Sequence, residues 1–283
     1  LRDGNYVGTY DTKDMTKDKI ISHMVGERNT TLNNQSRKKK IIGKKILELK
    51  NINKSNILKD ISFSLNKGEI LGIGGLVGSG RTELAEVIFG KEKMDSGEMY
   101  IDKQIQKIKS QKNAKKKGIG LIPEDRKHFG LIQKHSVTKN ATLIQLDKII
   151  SKIFLNKKKE KDYINKAIKE MSIKVNDPSA KVSSLSGGNQ QKIVVSKWMD
   201  MDLEILIFDE PTKGIDVSAK EDIFKIINDF SDKGMGIIFI SSDLEEVARI
   251  SGRTIIMKNG RIVKELTENE ITIDNINYYS LNG

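Results

Sequence analysis

The sequence predicts an α/β fold built on a parallel sheet, and three observations predict it. Ile205-Leu-Ile-Phe208 and Ile237-Ile-Phe-Ile240 are continuous apolar runs, the pattern of central parallel strands buried on both faces. Glu69-Ile-Leu-Gly-Ile73 reads as a strand that runs into a glycine-rich loop and then a helix. Strands alternate with helical stretches, as an α/β core requires.

The elements follow in order. Residues 45–73 give strands, with Leu47 and Leu49 alternating with polar neighbours. Residues 81–90 read as helix, 98–105 as a strand and the lysine-rich 106–117 as helix. Ile119–Ile122 is a short buried strand. Residues 125–184 are mostly helical, with Ile164, Ala167, Ile168 and Met171 on one face. Gly187–Asp200 is a further helix whose Ile193, Val194 and Trp198 belong to the core.

Three strings carry chemistry. Leu185-Ser-Gly-Gly-Asn-Gln-Gln191 opens a helix with a small turn, presenting backbone N–H groups and a helix N-terminus to an anion. Asp209-Glu210-Pro211-Thr212 follows 23 residues after Ser186. An apolar strand ending in two carboxylates is where a Mg²⁺-nucleotide is held and a water activated. Upstream, Gly75-Leu-Val-Gly-Ser-Gly-Arg-Thr82 matches the phosphate-loop template G-x-x-x-x-G-K-[ST] except that Arg81 replaces the lysine. Gly75, Gly78 and Gly80 let the backbone curl around Ser79 into an anion nest, and Thr82 offers a hydroxyl to Mg²⁺. A dinucleotide G-x-G-x-x-G fits no register from Gly72 to Gly80, which excludes that reading. Arg is a planar fork and fits a phosphate loop less readily than the compact lysine ammonium. Nucleotide binding is expected to survive at Arg81 and catalysis to suffer.

Together these strings resemble the ATP-binding cassette (ABC) ATPases. The resemblance implies a P-loop core with a parallel sheet, an antiparallel β subdomain and a helical subdomain at about 125–184. It implies ATP and Mg²⁺ as ligands. Asp209 would hold Mg²⁺ with Thr82, and Glu210 would polarise the attacking water. Ser186, Gly187, Gly188 and Asn189 would form the signature that completes a partner cassette's site, and Asp216, in Gly214-Ile215-Asp216, would cross to that partner. Departures are concentrated in the chain's own phosphate site. Glu124, in Pro123-Glu-Asp-Arg-Lys127, stands where the family has Gln, and an ionised carboxylate only accepts hydrogen bonds. Ser242 stands in the position of a His, and a hydroxyl carries no positive charge to a developing oxyanion. Residues 41–62 hold no aromatic side chain to stack on adenine.

A closer resemblance is to the ATPase subunits of simple-sugar importers of ribose, xylose and galactose type, with nucleoside importers as near relatives. GLVGSGRTEL, PEDRK followed by Gly130-Leu131, LSGGNQQK and DEPTKGIDVSAK carry it. Leu1-Arg-Asp-Gly-Asn-Tyr-Val-Gly8 also resembles Met257-Lys-Asn-Gly-Arg-Ile-Val-Lys264 at an offset of 256 residues, and a repeat of that period indicates a duplicated domain. Residues 1–26 are therefore expected to be the end of a preceding cassette, 27–40 a linker, and 41–283 the second cassette.

Composition narrows the classes. The 283 residues carry a net charge of +12, and the basic runs 37–40, 115–117 and 157–161 raise the nucleic-acid class. Aromatics are 5% of the chain and none interleave with those runs, so solvated faces and attraction to an anionic inner leaflet are expected instead. The chain has no cysteine, so no disulfide framework. No stretch approaches the roughly 18 apolar residues of a membrane span. The expected partners are a preceding cassette, transmembrane permease subunits and, indirectly, a periplasmic or lipoprotein solute-binding protein, with no nucleic acid. The expected location is the cytoplasmic face of the membrane. Two further readings are a soluble ABC ATPase acting on ribosomes or DNA and a regulatory module that binds ATP without turnover.

Overall fold

A computed structural model of the chain describes residues 6–15, 19, 42–151 and 154–283. The expected tail at 1–26 and linker at 27–40 lie largely outside those residues. From residue 42 onward two sheets organise the fold. The first is antiparallel and consists of β1 (Lys45–Lys54), β2 (Leu58–Asn66), β4 (Ser96–Ile101) and β5 (Gln104–Gln106) in the order β2-β1-β4-β5. The second has the order β12-β11-β3-β10-β9-β6. In it β3 (Ile70–Gly75), β6 (Ile119–Ile122), β9 (Ile205–Asp209), β10 (Gly236–Ile240) and β11 (Arg253–Lys258) run parallel. β12 (Arg261–Thr267) closes one edge antiparallel to β11. A two-stranded ribbon of β7 (Ile150–Ser151) and β8 (Phe154–Leu155) stands apart.

The apolar runs lie where their pattern placed them. Every residue of β3, β9 and β10 is buried, and Phe208 and Phe239 are fully enclosed. Burial of side chains of this size stabilises by about 1.5–3 kcal/mol each. Helices cover the sheet and its flanks: α1 (Arg81–Ile88), α2 (Gln111–Lys116), α3 (Val137–Thr142), α4 (Leu146–Ile149), α5 (Lys157–Glu170), α6 (Gly187–Ser196), α7 (Val217–Asp232), α8 (Leu244–Ile250) and α9 (Ile273–Asn282). The α7 face made by Ile223, Phe224, Ile227 and Phe230 is buried, and Phe224 meets Phe239 of β10 edge-on with ring centroids 6.1 Å apart.

Departures from the sequence reading have local causes. The strand expected at 98–105 is a hairpin, because Asp102 and Lys103 both take left-handed backbone (φ 48° and 64°). That is the tight primed turn that usually announces itself with glycine or asparagine. The helix expected from 106 begins only at Gln111, where the Ser110 hydroxyl accepts from Asn113 N–H as its cap. Within 125–184 a short 3-10 turn joins α3 to α4, the β7–β8 ribbon separates α4 from α5, and residues 171–181 are irregular. The amphipathic face of α5 is as expected: Ile164, Ala167 and the following Met171 are buried. α6 ends at Ser196 rather than Asp200. Beyond it Trp198 is still core, edge-on to Phe89 at 6.1 Å.

The close approach of α8 to the sheet depends on Gly72 of β3. A Cβ at Gly72 would lie 2.2 Å from Ser251 Oγ and 2.9 Å from both Ser251 Cβ and Val247 Cγ1. Gly72→Ala is expected to cost roughly 1–3 kcal/mol in denaturant unfolding, the range for overpacking. Adding Ser251→Ala removes the nearest atom and should recover part of that loss. A neutral Gly72→Ala would show that α8 is not seated as described.

Candidate functional site

Because the five central strands run parallel, their carboxyl ends share one edge, where ligands of open α/β sheets bind. β3 delivers the loop 75–80 to that edge, β6 delivers Glu124, β9 delivers Asp209 and Glu210, and β10 delivers Ser241 and Ser242. Register makes the alignment close: Ile240 is level with both Ile73 and Asp209.

The loop has the geometry its glycines allow. Gly75, Gly78 and Gly80 have φ of +148°, +81° and +98°, backbone that side chains rarely adopt. A Cβ on Gly75 would lie 2.3 Å from the Met257 carbonyl oxygen. The Ser79 carbonyl accepts from Gly260 N–H at 3.0 Å, which ties the loop to the β11–β12 turn. Gly80 leads directly into α1, so the first N–H groups of that helix face the loop. Ser79 Oγ is buried without a partner among the described residues.

Arg81 does not reach back over the loop. Its guanidinium is buried at 7% exposure, donates from Nη1 to the Ser241 carbonyl, and lies with Nη2 3.5 Å from Glu210 Oε1. Burial pulls its pKa down, and the charges of Glu210, Asp209 and Glu124 push it back up. Ser242 Oγ donates to the other oxygen, Glu210 Oε2, at 3.0 Å. Both oxygens of Glu210 are thus engaged within the chain. Burial raises the Glu210 pKa, while Arg81 and the Ser242 bonds lower it. The Glu210 backbone itself is left-handed, φ 46°, a strained conformation of the kind that concentrates at functional sites.

Asp209 is 2% exposed. Burial is the main cause that pushes its carboxyl up to about 7, with Glu124 and Glu210 adding to the rise and the Thr82 hydroxyl bond and Arg81 opposing it. Its Oδ1 has no partner among the described residues. Glu124 is partly exposed and accepts from Lys213 Nζ at 2.6 Å.

The expected signature residues form a second cluster. Ser186 caps α6, its Oγ accepting from Asn189 N–H at 3.4 Å and from Asn189 Nδ2 at 2.9 Å. Gly188 is dictated by packing, since a Cβ there would sit 2.3 Å from the Ala219 Cβ of α7. Asp216 caps α7 by accepting from Ala219 N–H at 2.9 Å. The structure therefore brings together Gly75, Gly78, Ser79, Gly80, Arg81, Thr82, Glu124, Asp209, Glu210 and Ser242. It sets Ser186, Gly187, Gly188, Asn189 and Asp216 beside one another on the neighbouring face.

Two residues of structural weight were missed as such in the sequence. Glu246 is buried and accepts from Thr212 Oγ1, Ser241 Oγ at 3.0 Å and Lys220 Nζ at 2.6 Å. In sequence it is one more acid on a charged helix, with no signal of burial. Arg126 lies inside the quoted PEDRK string and donates to two carbonyls of the 213–214 loop. The string marked the place and not the contact.

Comparison with known proteins agrees with this geometry. The ABC transporter family matches residues 58–213. The chain is 44% identical over 283 residues to the ribose import ATP-binding protein RbsA of Clostridium tetani, covering 99% of this chain and 55% of that protein. It is 43% identical to the galactose/methyl galactoside import ATP-binding protein MglA of the same organism, covering 99% and 56%. The chain thus spans about half the length of the curated relatives it matches. Among solved structures, a nucleotide-free ATP-binding cassette from an ABC transporter superposes with TM-score 0.71 at 24% identity, over 82% of this chain and 95% of that one. The cassette MJ0796 bound to ADP and Pi gives TM-score 0.67 at 23% identity, over 78% and 98%. These two likenesses establish the fold, and the family match covers more than half of the sequence: the chain belongs to the ABC transporter family, with the fold of its ATP-binding cassette.

Proposed function

We propose that this chain is the second cassette of an ATP-driven simple-sugar importer, and that its own phosphate site binds nucleotide and hydrolyses it slowly or not at all. The observation that carries the second half is the Arg81–Glu210 ion pair, closed on its other side by Ser242. Each oxygen of Glu210 already has a neighbour, Arg81 at one and Ser242 at the other, so a water to be polarised must share an oxygen with one of them. The cation that a phosphate loop supplies is turned toward that glutamate instead. Ser186, Gly187 and Gly188 complete the site of the first cassette, where most turnover occurs. The solute is a sugar such as ribose or galactose, as the names of the relatives suggest; a nucleoside is the neighbouring alternative. The cassette works with a preceding cassette of the same polypeptide and with permease subunits at the cytoplasmic membrane face, and indirectly with a solute-binding protein. Among the described residues no helix is long and apolar enough to cross a membrane.

The donor set fits Mg²⁺. Thr82 and Asp209 are hard oxygen donors, and the unpartnered Asp209 Oδ1 is a buried acceptor facing the loop edge. Mg²⁺ keeps several waters and takes only one or two protein carboxylates beside substrate phosphates. When bound it would neutralise phosphate charge. Asp209 and Thr82 would hold it.

Two measurements test the asymmetric reading. In the full-length subunit with its membrane partners, Ser186→Arg should abolish ATP turnover, while Glu210→Gln should change it less than about twofold (under 0.5 kcal/mol of barrier). Equal severity of the two would overturn it. In the same chain Arg81→Lys should tighten nucleotide binding roughly tenfold, the value of one recovered charged contact. Unchanged affinity would mean that Arg81 already reaches the phosphates.

The Asp209 carboxyl makes a pH prediction. Its folded pKa, about 7, lies above the ordinary 3.8, so the folded state binds the extra proton. Without a cation, this group's contribution to stability falls as pH rises from about 4 to 7. A cation requires the carboxylate, so Mg²⁺-dependent nucleotide affinity should rise roughly tenfold per pH unit below about 7 and level off above it. Titration calorimetry across that window, with Asp209→Asn as reference, reads the slope. A slope unaltered in Asp209→Asn would assign it to another group.

A further inference from the structure

The segment after β6 runs from the edge of the phosphate site along the signature helix α6. At its start Glu124 Oε1 accepts from Lys213 Nζ at 2.6 Å. Two residues on, the half-buried Arg126 donates from Nη1 to the Lys213 carbonyl at 2.7 Å and from Nη2 to the Gly214 carbonyl at 3.1 Å. Gly214 has left-handed backbone, φ 68°. Arg126 also lies against the signature turn: a Cβ on Gly187 would be 2.8 Å from Arg126 Nη2 and 3.0 Å from the Gly214 oxygen. The Asp125 carboxylate caps the turn Arg126–Gly130 by accepting from the N–H groups of Lys127 and His128 at 3.0 and 3.1 Å. At its end Gly130 sits under Val194 of α6, and the buried Lys197 ammonium, its pKa pushed down to about 8 by burial, donates to the Gly130 carbonyl. The segment is therefore fastened beside both ends of α6.

We propose that Arg126 is a positioning residue that locks the Ser186–Gly188 turn and the 213–216 loop into one unit, and that Glu124 places this unit through Lys213. The guanidinium is suited to the task because its fork donates to two successive carbonyls at once, which an ammonium cannot reproduce in the same geometry. Gly187 is then required twice, once for the exposed N–H groups of the turn and once to leave room for that fork. A displacement of Glu124 moves the loop and the signature together, so the signature reaches a neighbouring cassette's nucleotide only when residues 124–126 are seated. The consequence for turnover rests on the proposed role of the signature. The lock itself does not.

The test separates the two. Amide hydrogen exchange is measured in the full-length subunit carrying Arg126→Lys, with Gly187→Ala as a second variant that presses on the lock from the other side. Exchange should rise together at 187–190 and at 214–219, with the thermal midpoint within about 2 °C of the parent, below the shift expected of 1 kcal/mol. With membrane partners, kcat for ATP should fall roughly tenfold in Arg126→Lys, as for a catalytic group misplaced by a fraction of an ångström, while KM stays within about twofold. Exchange unchanged at either segment overturns the lock. A rise spread over the whole chain with a lowered midpoint also overturns it, since it would make Arg126 an ordinary packing residue. Coupled exchange with unchanged kcat would overturn its positioning role. Failure of Ser186→Arg to affect turnover would instead remove the signature reading and leave the exchange result to stand.

Discussion

The shared edge of the parallel strands is the constraint on which the site depends. Each of β3, β6, β9 and β10 contributes one short segment to it, and the register fixes their relative heights. A site made this way gathers residues 75, 124, 209 and 242 without any of them being near in sequence. It also concentrates carboxylates. Glu124, Asp209 and Glu210 face one another at the ends of buried strands, and the pKa of Asp209 rises by burial and by the other two charges. Such a cluster calls for cations, and among the described residues Arg81 is the one that pairs with Glu210.

That placement follows from ordinary energetics. Removing a guanidinium from water costs several kcal/mol unless it is paired and hydrogen-bonded. Arg81 begins α1, behind the loop, where its long fork can reach the Ser241 carbonyl and Glu210 together. A lysine at the same position has a single point charge that fits inside a loop against phosphate. With arginine at this position the guanidinium pairs with Glu210 on one side, and the Ser242 hydroxyl donates to the same carboxylate on the other.

The sheet, the loop and the strand-end carboxylates were legible in the sequence because each has a local signature. Continuous apolar runs mark β9 and β10, glycine spacing marks the loop, and Asp209-Glu210 ends a run that cannot be a surface strand. What stayed hidden was decided by tertiary contact or by a turn without its usual residues. The Asp102-Lys103 turn contains no glycine. The direction in which Arg81 points is set by Glu210 and by Ser241, the latter 160 positions away. The burial of Glu246 depends on Thr212, Lys220 and Ser241, three residues that come together only after β9 and β10 pair. A single charged letter in a helix has no way to declare such partners.

Glu246 also explains how the two clusters keep a fixed relation. Its carboxylate holds Ser241, whose carbonyl holds Arg81, and Thr212, two residues before the Gly214 carbonyl held by Arg126. Hydrogen bonds and two steps of backbone therefore link Arg81, at the start of α1, to Arg126, which lies beside the signature turn. Along that route Ser241, Thr212 and Gly214 are strand-end or loop residues, and the side chains that join them are a carboxylate and two guanidinium groups. Such bonds are directional and have narrow minima, unlike the apolar packing beneath them. The fold thus places a stiff polar layer over a greasy sheet. Because Glu246 accepts from Thr212, Ser241 and Lys220 at once, displacing any one of these groups disturbs bonds to the other two.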